Sequence, residues 1–75
     1  LSAARRAAAA TASGDARREA GQWLAPRGES AVAAYREALA AVPGFAPASA
    51  GLAAIEQALI ERAEASVSSG DFDAA

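Results

Sequence analysis

Seventy-five residues with a net charge of −2, no histidine and no cysteine admit one small domain with a modest core. They exclude disulfides and thiolate chemistry and remove the commonest metal ligand. Alanine fills 26 positions and all seven basic residues are arginine. Alanine favours helix because it loses no side-chain entropy, and the branched and aromatic strand formers are few.

Residues 2–12 read as an alanine-rich helix carrying Arg5 and Arg6. Ser13, Gly14 and Asp15 read as a break, with Asp15 placed to cap a second helix over 16–24 that ends in Trp23 and Leu24. Pro26, Arg27 and Gly28 mark a turn. Ser30 caps a third helix over 30–42, on which Val32, Tyr35, Leu39 and Val42 fall at i, i+3, i+7 and i+10 as one apolar stripe. Ala31, Ala34 and Ala38 lie beside that stripe and let a neighbouring helix approach. Pro43 and Gly44 stop the helix. Pro47 sits near the start of a fourth, over 47–69, where its missing N–H costs nothing. Leu52, Ile55, Leu59, Ala63 and Val67 (or Ser66) run down one side of that helix, Ile60 lies off this stripe and widens it, and Glu56, Gln57, Glu61, Arg62 and Glu64 take much of the rest. Gly70 to Ala75 reads as the opening of a fifth helix, and the chain as a piece of a longer one. The expected fold is all-α, with short turns joining antiparallel helices.

The arginines are scattered among acidic residues, so no basic face forms for a phosphate backbone and nucleic acid is not an expected partner. No run of 18 apolar residues occurs, so no membrane insertion is expected. The start shows no signal-peptide order of charge then apolar stretch. A chain without cysteine fits the cytoplasm and the periplasm equally.

The stretch from about Gly21 to Ala75 resembles the tetratricopeptide repeats. In that family a small residue, an aromatic and an alanine mark the second helix of a repeat and a proline closes it. Ala31, Tyr35, Ala38 and Pro43 match in type and spacing. Gly51 and Leu52 match the glycine-containing site of the next first helix, and Gly70, Asp71 and Phe72 match the turn and opening of its second. The chain is also similar, more loosely, to alanine-rich repeat segments fused to other modules in bacterial envelope and regulatory proteins. The resemblance implies an α-solenoid whose first helices line a groove for a peptide or partner protein, with Ala48, Leu52, Ile55 and Glu56 facing it. The apolar stripe instead places Leu52 and Ile55 in the core.

Chemistry is sparse. Glu61 and Glu64 read as a solvated helix face, and Asp71 as a cap. The serines and Thr11 have no histidine or lysine base and read as caps and turn residues. No phosphate-binding glycine motif is present, and no cofactor or metal is expected. Trp23 suits a partner anchor, or a plug between the second and third helices together with Leu24 and Tyr35. Phe45 and Phe72 suit plugs between repeats. The expectation is a non-enzymatic scaffold that docks a protein or peptide. The alternative is a structural spacer or oligomerisation domain of a larger bacterial envelope or regulatory enzyme, associating through exposed helix ends.

Overall fold

A computed structural model of the chain describes residues 2–69. These form three helices and no strand: α1 (Ala3–Glu19), α2 (Ala31–Ala41) and α3 (Ala46–Ser69). Four helices were expected, and the count falls because the first two are one. The fifth, with Phe72, lies outside the described residues.

α1 starts where Ser2 Oγ accepts from the Arg5 N–H at 3.2 Å. It then runs straight through Ser13, Gly14 and Asp15, so neither a break nor an Asp15 cap exists. The physical reason lies in α2. Gly14 faces the Tyr35 ring so closely that a Cβ there would stand 2.7 Å from Cε1. Gly51 of α3 faces the same ring, closer still. Each glycine costs its helix about 0.5–1 kcal/mol relative to alanine. Burying the ring of Tyr35, which is 0% exposed, returns about 1.5–3 kcal/mol, and its hydroxyl is hydrogen-bonded as well. The glycines are therefore notches for an aromatic ring and not helix breakers. Thr11, expected at a cap or turn, is buried mid-helix, where its Oγ1 donates to the Ala7 carbonyl at 2.8 Å.

α1 ends at Glu19, five residues before the expected limit at Leu24. Gly21 takes φ +80°, and the Gly21 and Gln22 N–H groups donate back to the Arg18 and Arg17 carbonyls. This is the left-handed glycine stop that satisfies the last carbonyls of a helix. Pro26 to Glu29 form the expected turn, closed by the Glu29 N–H on the Pro26 carbonyl at 2.9 Å with Gly28 at φ +85°. Ser30 caps α2 by accepting from the Ala33 N–H at 3.2 Å. The Ala31 and Val32 N–H groups donate to the Gln22 and Trp23 carbonyls, so the 20–30 loop is tied to the start of α2.

Arg17 reaches Ser30 and Asp15 reaches Tyr35, so α1 and α2 run antiparallel. A four-residue connection, with Gly44 at φ +78°, turns the chain into α3. The core is Ala7, Ala31, Tyr35, Ala38, Ala48 and Ile55, with Val32, Leu39, Val42, Phe45, Leu52 and Leu59 packed against it. Its centre is one tyrosine among small side chains.

α3 has 24 residues against 11 in α2, a difference of about 20 Å at 1.5 Å per residue. Its last turns, beyond the Arg62 contact with Trp23, therefore run past the end of α2. Ala63 and Val67 are exposed for that reason, while Ser66, the other candidate for the end of the stripe, is half-buried, and Ile60, off the stripe, is exposed. None of the described helices is long and apolar enough to cross a membrane.

Candidate functional site

Two features carry the polar groups and the concave surface of the molecule, and Arg18 belongs to both. The first is a network around the buried phenol. The Tyr35 hydroxyl donates to Asp15 Oδ1 and accepts from Arg18 Nε at 3.1 Å, while Arg18 Nη2 lies 3.7 Å from Asp15 Oδ1. Burial raises the Tyr35 pKa above 10.0, and donation to Asp15 raises it further, with Arg18 opposing. The folded state thus keeps a proton that the unfolded chain releases at about pH 10. The stability this contributes is complete below pH 10.0 and is lost as pH rises through the folded pKa. The chain has one tyrosine and no lysine or cysteine, so no other side chain titrates between about pH 9 and 12. Denaturant midpoints taken across that range are expected to fall in the wild type and to stay nearly level in Tyr35→Phe.

The second feature is a cleft of about 300 Å³ between the end of α1, the loop and α3, lined by Arg18, Glu19, Trp23, Ala54, Ile55 and Ala58. Its wall is the Trp23 indole. Trp23 Nε1 donates to the Arg18 carbonyl at 3.0 Å, the same carbonyl that accepts from Gly21. The helix stop and the tryptophan are thereby fixed together. Ala54 and Ala58 are methyl-sized and leave the floor open, with buried Ile55 beneath. Arg62, one turn beyond Ala58, stacks its guanidinium over the indole with Cζ 4.5 Å from the ring centroid. At an exposed site such a contact is worth about 0.5–1 kcal/mol.

Of the residues named from sequence, Trp23 and Ile55 meet in this cleft. Ala48 (0% exposed) and Ile55 (2%) belong to the core, and Leu52 is half-buried against it. Glu56 is exposed on α3. Trp23 packs against the core, but Leu24 does not share that junction, being 60% exposed. Sequence reasoning missed Asp15, Arg18, Glu19 and Arg62. The first reads locally as a cap, and the pairing of Arg62 with Trp23 spans too much chain to be read locally. Among the described residues no cluster of three metal-ligating side chains occurs.

Neither family models, nor curated proteins, nor solved structures gave a match to this chain.

Proposed function

We propose that the chain is a non-enzymatic docking module, a small scaffold of tetratricopeptide type that presents its α1–α3 side to a peptide or partner protein. The observation that carries this reading is the packing of α2. Ala31, Tyr35 and Ala38, the helical residues of the family pattern, are buried, and α1 and α3 each give up a side chain, at Gly14 and Gly51, to meet the tyrosine. Such packing commits α2 to the interior. It leaves α1 and α3 to form the walls of the cleft. A sequence with no histidine, cysteine or lysine offers few of the usual catalytic bases and nucleophiles.

The test is fluorescence anisotropy with a panel of labelled, unstructured peptides of acidic, basic and apolar composition. Saturable binding of at least one class, with NMR shifts gathered on α1 and α3, is the expected result. Absence of binding by every class at about 1 mM, where the free energy gained is about 4 kcal/mol, would remove the docking reading.

A second reading has its own observation. Ile60 (45% exposed) and Val67 (60%) stand on the second half of α3, seven residues apart on one face. A spacer or oligomerisation domain buries such a face against another copy. Sedimentation equilibrium decides it: a dimer abolished by Ile60→Glu supports the spacer, and a monomer at all concentrations rejects it.

A further inference from the structure

We propose that copies of this chain join head to tail, the outer face of α3 in one copy taking the outer face of α1 in the next. This pairing rests on the oligomerisation reading above and adds to it the surface that covers Ile60 and Val67.

The two faces match in size and in charge. On α3, Glu56, Ile60, Ala63 and Val67 follow one another at steps of four, three and four, so they form one line along the helix. All four are exposed. On α1, Arg5, Ala9, Ala12 and Ala16 repeat the same steps and are exposed as well. They lie across the helix from its buried residues Ala7, Thr11 and Gly14. Laid side by side in parallel, the two lines coincide at every step. Ile60 and Val67 then meet the methyl groups of Ala9 and Ala16, Ala63 meets Ala12, and Glu56 meets Arg5. The branched side chains fall on a face with nothing larger than a methyl, and the single charge on each line finds its opposite.

The fold supplies the parallel sense. Gly14 and Gly51 meet one ring, and farther along both helices Arg18 and Glu19 share the cleft with Ala54, Ile55 and Ala58. α1 and α3 thus run the same way within a copy. A second copy displaced without rotation brings its α1 parallel to the α3 it meets. Two α3 helices suit each other less well. Glu56 and Glu64, one turn either side of Ile60, are both exposed and would face carboxylates again. The first half of α1 instead carries Arg5 and Arg6 and no acid before Asp15. Because the mating faces are different surfaces, a dimer keeps one of each free and a third copy adds.

Sedimentation equilibrium of two variants, separate and mixed, tests this. Ile60→Glu spoils the α3 face and leaves α1 intact. Ala12→Glu does the reverse. Both positions are exposed and glutamate is a good helix former, and circular dichroism checks that helix content is kept. The average mass of the wild type is expected to rise with concentration without levelling at a dimer. Each variant alone is expected to stay a monomer, and their mixture to reach a dimer and stop there. As an independent check on the same contact, Arg5→Glu is expected to weaken wild-type association about 2- to 5-fold, and adding Glu56→Arg in the same chain to restore it. A mixture that stays monomeric, or an Ala12→Glu variant that dimerises like a wild type that itself stops at a dimer, overturns the head-to-tail pairing; the second result leaves the oligomerisation reading standing. A wild type that is monomeric up to about 1 mM removes both.

Discussion

Gly51→Ala is expected to destabilise the chain by about 1–3 kcal/mol, the ordinary cost of overpacking a close-packed core. An alanine at that position is the better helix former by about 0.5–1 kcal/mol, so propensity alone predicts the opposite sign. The ring decides. Tyr35 lies against Gly51 with no room for a Cβ, and Gly14 leaves the same ring only 2.7 Å from where a Cβ would sit. The ring is seated against both helices, so it cannot yield to one without disturbing its contact with the other. A chain of 75 residues has about 4–11 kcal/mol to lose, and an alanine-rich core puts it low in that range. The denaturant midpoint should therefore drop clearly, and Gly14→Ala should fall less. The decisive control is the same substitution in a Tyr35→Leu background. There the clash is gone, so Gly51→Ala becomes neutral or stabilising, and the coupling between the two sites exceeds what independent sites allow. A stabilising Gly51→Ala in the wild-type background would sink this account.

The same two glycines show where the sequence could be read and where it could not. α2 and α3 were placed within one residue at each end (30–42 against Ala31–Ala41, and 47–69 against Ala46–Ser69). Their boundaries are set by local chemistry: the Ser30 hydroxyl on a nearby N–H, and a proline and glycine that cannot continue a helix. Gly14 is different. A glycine inside a helical pattern is either a stop or a notch, and which one depends on a residue 21 positions away. Asp15 misled in the same way, because an acid after a glycine looks like a cap. Its actual partner, the Tyr35 hydroxyl, is set by the crossing of two helices. The end of α1 was legible and missed. Gly21 is a local stop signal, but the apolar Trp23 and Leu24 behind it extended the pattern. The cleft was the least legible part. It depends on Arg18, Glu19 and Trp23 meeting Ala54, Ile55 and Ala58 across the whole of α2, and pattern alone supplies no register between them.

Tyr35→Ala is expected to have the largest effect of any single change, about 3–5 kcal/mol, as for other buried aromatic truncations. That is comparable to the whole stability of a small domain, and loss of helicity should spread to all three helices, because both glycine notches open onto the same ring. Tyr35→Phe separates the ring from its hydroxyl. Phenylalanine keeps the packing and gives up the bonds to Asp15 and Arg18. Those two side chains are 48% and 36% exposed, so water replaces the lost partner and neither is left buried and unpaired. The cost is then that of an ordinary hydrogen bond, about 0.5–1.5 kcal/mol. The ratio of the two effects is what matters. If far-UV circular dichroism and urea titration show Tyr35→Phe unfolding the chain as fully as Tyr35→Ala, the polar network and not the ring joins the helices, and the reading of Gly14 and Gly51 as notches loses its basis. If Tyr35→Phe stays folded with a modest shift, the fold is carried by one aromatic ring that meets two helices where each lacks a side chain.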